Sequence, residues 1–277
     1  MKAVKPLKTA INVVIIAAIM IVILFPLYWL LATSLKPSNE IFRDPPTLIP
    51  EIFTLEHYTN VFRSSEIPTY FWNSVINTGG TVLIVLALAS FAAYSMTRYA
   101  FKGKLAYFTV ILFAQVMPLT TLIVPLYIMW GKLHLLDSHV SIILTNCAIM
   151  LPMAIWLLTG YFKSVPKDID EAATIDGASS LGILFRMVIP LARSGLVAVG
   201  LTVCITAWQE MMLAMTFVNT DAMRTLPAGI NTFITKSGIQ WGPLNAAGIV
   251  TTLPVLLVFV VFQKALVRGL TAGATKG

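Results

Sequence analysis

Six long stretches of this chain carry almost no charge. Five contain no Asp, Glu, Lys or Arg, over 9–35, 67–97, 105–131, 138–162 and 237–263, and a sixth, 194–220, contains Glu210 alone. Each exceeds the roughly 20 residues that a helix needs to cross a bilayer. Only 11% of the 277 residues are charged, whereas roughly a quarter are charged in soluble domains. We therefore predict an all-α membrane protein with six transmembrane helices.

The predicted spans and their connections form one transmembrane domain over 1–277. The spans are placed at about 10–34, 71–96, 106–130, 139–161, 194–217 and 241–263, with a loop at about 162–193 and a tail at 264–277. The longest outer connection, Leu35–Tyr70, carries five prolines among mixed charges and is predicted to be a loop that is ordered in places. No connection is long enough to hold a soluble catalytic domain.

The formal net charge of +7 would also suit a nucleic-acid-binding protein, so the distribution of charge matters. With the N-terminus in the cytoplasm, 13 of the 19 basic residues fall on the inner side: Lys2, Lys5, Lys8, Arg98, Lys102, Lys104, Lys163, Lys167, Arg186, Arg193, Lys264, Arg268 and Lys276. This asymmetry follows the positive-inside rule. We predict a multi-pass protein of the bacterial inner membrane that has both termini in the cytoplasm, contacts lipid and binds no nucleic acid.

The first apolar stretch, the cysteines and the histidines carry weaker signals. That stretch follows three lysines, but it is nearly twice as long as a signal-peptide core, so it is predicted to be a retained span. Cys147 and Cys204 fall inside spans and are predicted to pack there, since no second ligand lies at metal spacing. His57, His134 and His139 lie in or near outer loops and are predicted to be solvated.

Two prolines interrupt the third predicted span. Pro118 and Pro125 each remove a helix hydrogen bond and favour a kink. The freed carbonyls need partners from neighbouring helices or from a water-lined cavity. The third span is therefore expected either to line a cavity or to pack within the bundle, and the sequence does not choose between the two.

The polar segment between the fourth and fifth spans begins with a predicted short helix. Pro166 suits the first helical turn, and Asp168, Asp170 and Glu171 place negative charge where the helix dipole favours it. The helix is expected to run from about Pro166 to about residue 176.

A second short helix is predicted after a glycine turn. Gly177 supplies the left-handed residue that ends the first helix, Ser179 or Ser180 can cap the second, and Pro190 closes it. Its apolar residues are Leu181, Leu184, Phe185, Met187 and Val188. We expect Leu184, Phe185 and Met187 to be exposed and covered by another protein. The alternative is an interfacial helix with these side chains in the inner leaflet.

The spacing of this segment resembles the EAA loop of bacterial ABC importer permeases. Glu171-Ala172-Ala173, three residues, Gly177-Ala178 and a proline a dozen residues later match the family pattern. Further matching stretches are Ile123-Val124-Pro125-Leu126-Tyr127, Trp208-Gln209-Glu210, Arg224-Thr225-Leu226-Pro227 and Val267-Arg268-Gly269-Leu270-Thr271-Ala272-Gly273. Nearly the whole chain resembles carbohydrate-uptake permeases of the maltose transporter G-subunit kind. Gln209 departs from the Asn that is more usual there.

The resemblance implies a type I importer transmembrane domain that forms half of a pathway for a sugar or sugar derivative. The implied partners are a second, F-type permease, two ATPase subunits and an extracytoplasmic solute-binding protein. The implied ATPase-coupling residues are Glu171, Ala172, Ala173, Asp176, Gly177, Ala178, Arg186 and Pro190. ATP and Mg²⁺ would be bound by the ATPases, this chain would hold no cofactor or metal, and the tail would reach between the ATPase subunits.

The chain itself is not expected to hydrolyse ATP or to be an enzyme. A phosphate-binding loop needs Gly, four residues and then Gly-Lys-Ser/Thr. Arg98 stands at the first glycine position before Gly103-Lys104, and Leu126 stands there before Gly131-Lys132. Neither pair is followed by Ser or Thr.

Polar residues within the spans are the candidates for a substrate pathway: Glu210, Gln209, Trp208, Gln115 and Asn146. A charge at the depth of Glu210 costs on the order of 2.5–3.5 kcal/mol, so such residues normally face a cavity. The alternative is a structural carboxylate near the outer end of the helix that either snorkels to the interface or pairs with Arg224, with Trp208 anchored at the interface.

A proton-coupled secondary transporter that uses Glu210 is the rival function. That mechanism normally needs several ionisable groups within the membrane and an internal repeat. The sequence has only Glu210 deep in a predicted span and shows no repeat. A membrane-embedded enzyme would need a catalytic constellation in the spans, and the sequence contains none.

Overall fold

The computed structural model describes the backbone of residues 4–63 and 66–274 and the side chains of 9–63 and 66–263. The predicted inner charges at Lys2, Lys5 and Lys8 and the side chains of the tail lie outside these ranges. Within them the chain is mainly helical: α1 Val4–Ser34, α2 Ser38–Ile41, α3 Glu56–Arg63, α4 Ile67–Arg98, α5 Lys104–Ala114, α6 Leu119–Lys132, α7 His139–Lys163, α8 Asp168–Ile175, α9 Ser180–Ile183, α10 Ile189–Leu191, α11 Arg193–Trp208, α12 Met212–Phe217, α13 Leu226–Gly229 and α14 Trp241–Ala274. Two short antiparallel strands, β1 Ile234–Thr235 and β2 Gly238–Ile239, form a hairpin.

Four described helices are long and apolar enough to cross a membrane: Thr9–Ser34, Ile67–Arg98, His139–Lys163 and Trp241–Gln263. Two bent pairs also qualify when each pair is taken together. Lys104–Ala114 and Leu119–Lys132 meet at 93°, and Ser180–Leu191 and Arg193–Trp208 meet at 82°. The chain therefore has four spans, or up to six if each bent pair is one span, and the count of six stays a prediction.

The third predicted span is not one continuous helix. It breaks between Ala114 and Leu119, and Pro118 takes the N-cap position of α6 with an extended backbone. The break falls there because proline lacks an N–H and also disfavours a helical conformation in the residue before it. Pro125 stays inside α6.

The fifth predicted span, 194–217, is also divided. Helix α11 ends at Trp208 after 16 residues, and α12 begins at Met212. The structure thus places an interruption around Gln209 and Glu210 where the sequence indicated a single helix.

By their internal contacts the residues fall into two compact units. The first comprises Met1–Pro68 and Ile230–Leu253, and the second comprises Thr69–Gly229 and Pro254–Gly277. The first unit contains most of the long connection that was predicted to be an outer loop, and its described part is ordered around the buried carboxylate of Glu40. This carboxylate accepts hydrogen bonds from the Thr47 hydroxyl (2.7 Å) and from the N–H groups of Glu51 (2.9 Å) and Ile52 (3.4 Å).

The prediction that His57 is solvated was wrong. Its side chain is 2% exposed, and its Nε2 lies 2.8 Å from the carbonyl oxygen of Lys36. Because a carbonyl can only accept, Nε2 carries the donated proton. A Cβ at Gly242 would overlap the His57 ring, so the glycine is what lets α14 approach this close. Lys36 is buried as well, with its Nζ donating to the Thr47 carbonyl.

The core of the second unit lies where α4, α7 and α11 pack together. Small side chains on α4, including Ala89 and Ala93, let the helices approach closely, as is typical of membrane bundles. At the end of α7, a Cβ at Gly195 of α11 would overlap the ring of Tyr161, so these two helices also touch at a glycine. Leu184 and Val188 of the polar segment bury their side chains in the same core.

Candidate functional site

The first short helix of the EAA loop, which we define as residues 162–193, forms close to its predicted limits. Helix α8 spans Asp168–Ile175, with three acidic residues in its first turn. The acidic side chains face the positive end of the helix dipole, which favours the helix in spite of its eight-residue length. The prediction of a short acidic helix is confirmed.

The glycine turn is also confirmed. Gly177 has a φ of +82°, a left-handed conformation that suits glycine because it has no Cβ. The Ala178 N–H donates to the Ala173 carbonyl (2.9 Å) across the turn. Ser179 caps the next helix, since its Oγ accepts a hydrogen bond from the N–H of Gly182 (3.2 Å).

The second helix contains an unpredicted π-helical turn, Leu184–Val188, between α9 and α10. Pro190 lies in α10, and the helix ends at Leu191 before an 82° bend into α11. Because Pro190 has no N–H, the regular hydrogen-bond ladder is interrupted at this point. The wide turn just before a proline is consistent with that interruption.

The expected exposure of Leu184 was wrong. Its side chain is 1% exposed and packs in the core with Val188. Phe185 and Met187 are exposed as predicted, and Ile175 and Leu181 add two apolar groups that were not expected to be exposed. The loop therefore has one apolar face packed in the core and a second one open, which we call the exposed face: Ile175, Leu181, Phe185 and Met187.

The predicted coupling residues are distributed over the outside and the inside of the loop. Exposed are Glu171, Ala172, Asp176, Gly177, Arg186 and Pro190. Ala178 is half-buried, and Ala173 is buried in the core. The acidic groups of Glu171 and Asp176 are thus exposed in the same loop as the exposed face, while Ala173 packs the loop into the core.

An ion pair that the sequence analysis missed holds this loop to α4. Arg98 Nε and one terminal nitrogen bind the two oxygens of Asp170 at 2.6 Å and 3.2 Å. The two side chains are 7% and 14% exposed. The other guanidinium contacts are the carbonyls of Phe162 (3.4 Å) and Val165 (3.3 Å). The sequence analysis placed Arg98 among the inner basic residues and Asp170 in the first turn of a short helix. No sequence pattern predicts an ion pair between residues 72 positions apart.

A cavity of about 400 Å³ lies at the break between α5 and α6. It is lined mainly by apolar residues of α6, α7 and α11, and by Gln115 at the break itself. The hydroxyl groups in its wall are already engaged: Thr145 accepts from the Trp130 indole (3.0 Å), and Thr202 donates to the Ala198 carbonyl (3.0 Å). Of the predicted pathway residues, Gln115 alone lines this cavity.

The other predicted pathway residues do not converge on that cavity. Trp208 is buried, packs edge-to-face on Phe71 at 5.8 Å and lines a second cavity of about 240 Å³. Gln209 is exposed. Asn146 is 1% exposed, and its side-chain nitrogen has no hydrogen-bond partner among the described residues.

Glu210 serves as a helix cap. Its carboxylate accepts hydrogen bonds from the N–H groups of Leu213 (2.6 Å) and Ala214 (3.2 Å), at the start of α12. These N–H groups have no partner within the helix. The structural alternative of a pair with Arg224 is not what the structure has, because Arg224 binds Asp221 at 3.0 Å. The carboxylate therefore helps divide the fifth predicted span.

The chain is similar to known membrane proteins over nearly all of its length. A family model described as "Binding-protein-dependent transport system inner membrane component" matches residues 86–272. The inner membrane ABC transporter permease protein YcjP of Escherichia coli (strain K12) is 34% identical over 268 residues, covering 95% of this chain and 94% of that protein. The trehalose/maltose transport system permease protein MalG of Thermococcus litoralis is 35% identical, covering 95% and 96%.

A solved structure shares the fold. One chain of a bacterial ABC transporter involved in the import of the acidic polysaccharide alginate superposes with a TM-score of 0.83. The two sequences are 21% identical, and the match covers 95% of this chain and 98% of that one. The likeness therefore extends to the whole transmembrane fold.

Proposed function

This chain belongs to the family of binding-protein-dependent transport system inner membrane components, and we infer that it is one permease subunit of an ATP-driven importer. It is a multi-pass protein of the inner membrane and a transport permease, not an enzyme. We propose that it forms half of the transmembrane pathway, together with a second, F-type permease.

The EAA loop carries this proposal. Its inner face is packed in the core, so the loop is held firmly, and Ile175, Phe185 and the acid of Glu171 are all exposed. A contiguous apolar surface with a polar rim is typical of a protein contact. We propose that an ATPase subunit binds there, with a second ATPase on the partner permease.

We propose a sugar or sugar derivative as the substrate. Support comes from the relative that transports trehalose and maltose, and from the alginate importer that shares the fold. Gln115 supplies an amide to the cavity wall at the α5–α6 break, and an amide is suited to bind hydroxyl groups. The remaining pathway candidates, Trp208, Gln209, Asn146 and Glu210, stay secondary because they do not share the cavity.

The proposed cycle follows from this arrangement. An extracytoplasmic solute-binding protein delivers the substrate, and ATP with Mg²⁺ binds to the ATPases, not to this chain. Closure of the ATPases draws the EAA loops of the two permeases together and turns the helices from an inward-facing to an outward-facing cavity. Both termini are placed in the cytoplasm, in keeping with the basic inner segments.

Gentle purification from the native membrane tests this proposal. We expect mass spectrometry to identify a second permease and a P-loop ATPase in the preparation, and we expect the complex to hydrolyse ATP. A lone homo-oligomer without ATPase activity would contradict the importer and would favour the proton-coupled alternative.

A charge-reversal variant locates the ATPase contact. Glu171→Lys should lose the ATPase while it keeps the second permease, because only the exposed loop is altered. The matched control is Glu51→Lys, which reverses an exposed acid that is ion-paired to Arg43 at 2.6 Å in the outer loop. Exposed pairs contribute little, roughly 0–1 kcal/mol, so this control should keep both partners. Equal retention of the ATPase by both variants would remove Glu171 from the contact.

A further inference from the structure

The inner end of α4 and the residue after it contact α8, α9 and the π-helical turn of the EAA loop. Arg98 binds Asp170 on α8 through two hydrogen bonds. The neighbouring Tyr99 hydroxyl donates to Ser180 Oγ at the start of α9 (3.0 Å). One further contact lies deeper: Phe91 packs edge-to-face on Phe185 of the π-helical turn at 5.8 Å.

The outer end of the same helix holds an extracytoplasmic loop. The Asn73 side-chain nitrogen donates to the carbonyls of Ala222 (2.8 Å) and Arg224 (2.9 Å). Ser74 Oγ accepts a hydrogen bond from the N–H of Leu226 (2.8 Å). The side chains of Asn73 and Ser74 are buried, so these bonds are shielded from competing water.

Between its two ends α4 is one unbroken helix. No proline lies between Asn73 and Arg98, and at 1.5 Å per residue this stretch is about 38 Å long. Val85, Ala89 and Ala93 are fully buried in the core. Protein interiors are densely packed and resist compression. Displacement of one end of a continuous, buried helix is therefore transmitted to its other end.

We propose that α4 is the mechanical connector between the EAA loop and the outer loop at 222–226, with Arg98 as its principal positioning residue. The proposal rests on the ATPase contact proposed above. Helices α7 and α11 adjoin the EAA loop along the chain, whereas Arg98 and Asp170 are 72 positions apart. Loop motion therefore reaches α4 through side-chain contacts, and these can be broken without altering chain connectivity.

The test follows the outer loop while ATP acts on the inner side. An environment-sensitive fluorophore is attached at Ala222→Cys in a chain with Cys147→Ala and Cys204→Ala, and the labelled chain is purified with its ATPases in nanodiscs. Addition of ATP and Mg²⁺ should change the fluorescence. With Asp170→Asn the change should fall by about 5-fold or more, the lower bound of typical coupling between sites, in preparations matched for bound ATPase.

Rescue separates positioning from loss of folding. The charge-swapped double variant Arg98→Asp with Asp170→Arg should restore most of the fluorescence response. Tyr99→Phe removes only the hydrogen bond to Ser180, so it should reduce the fluorescence response less than Asp170→Asn does. The control Glu51→Gln breaks an exposed ion pair and should respond as the unaltered complex does.

The outcomes distinguish the two proposals. An ATPase-active complex whose fluorescence does not respond to ATP, or responds equally with Asp170→Asn, would overturn the connector role of α4. Failure of the charge swap to restore the response would overturn the positioning role of Arg98. A preparation of the unaltered chain with no ATPase activity would contradict the proposed function itself.

Discussion

Two carboxylates, the buried Glu40 and the half-buried Asp170, organise the two long polar segments of this protein in different ways. Glu40, in the outer loop, binds Thr47, Glu51 and Ile52, all within 12 positions along the chain. Asp170, in the EAA loop, binds Arg98 from 72 positions away. Glu40 thus holds together residues of its own loop, whereas Asp170 binds its loop to Arg98 at the end of α4.

The difference separates a self-contained loop from one whose position depends on a distant helix. Local hydrogen bonds from Glu40 can form without the rest of the bundle, so movement elsewhere leaves them intact. The Asp170 ion pair exists only when α4 and α8 are in place, and displacement of either helix acts on the other. Each unit also has a close approach at a glycine, Gly242 on His57 and Gly195 on Tyr161.

Removal of the long-range ion pair should have the largest effect on stability. Asp170→Asn leaves the buried guanidinium of Arg98 without its counter-charge, and breaking a buried pair costs about 3–5 kcal/mol. We expect α8 amides to lose hydrogen-exchange protection by about 3 kcal/mol, with little change in α2 and α3. Protection of α8 equal to that in the unaltered protein would show that the core contacts of Ala173 and Leu184 suffice.

Overpacking at the base of the EAA loop should cause the second-largest loss of stability. Gly195→Ala drives a Cβ into the Tyr161 ring, and overpacked cores typically lose about 1–3 kcal/mol. The control is Gly160→Ala in α7, where an added Cβ meets nothing within 4 Å. Thermal unfolding in detergent should show a lower Tm for Gly195→Ala alone. Gly242→Ala is the counterpart for the outer loop and should also lower the Tm.

Two glycines with positive φ allow backbone strain to be tested without any steric clash of the added Cβ. Gly177 (φ +82°) and Gly238 (φ +125°) both have open space where a Cβ would lie. Replacement by alanine should cost each turn about 1–2 kcal/mol through the backbone. Only Gly177→Ala should also lower ATPase binding in pull-down experiments, because only that turn belongs to the EAA loop. Equal ATPase loss from both variants would contradict this assignment.

The smallest effect is expected for Glu40→Gln, and it should depend on pH. The N–H of Glu51, then the Thr47 hydroxyl, hold the pKa of Glu40 below its ordinary value of 4.5. A lowered folded-state pKa adds stability that is complete above 4.5 and is lost as the pH falls through the folded-state pKa. The Tm difference between the unaltered protein and Glu40→Gln should therefore be larger near neutral pH than in acid. A difference independent of pH would show that the charge of Glu40 contributes nothing.

Local chemistry explains which parts of the EAA loop were predictable. The acidic first turn of α8, the glycine at 177 and the cap at Ser179 depend on neighbours in sequence, and all three were confirmed. The burial of Leu184 and of His57 depends on which distant side chains pack against them, and both were predicted wrongly. The break after Trp208 was missed because Glu210 looked like a residue of a pathway instead of a cap.

The sequence by itself determined the membrane environment, the apolar segments and the helix–turn–helix of the EAA loop. These follow from segment length, charge and local backbone preference, which need no knowledge of contacts. Only the tertiary structure decided that Arg98 pairs with Asp170, that a cavity lies at the α5–α6 break beside Gln115, and that α4 contacts loops at both of its ends. Such pairings join residues far apart in the chain, and the packing of the helices selects them.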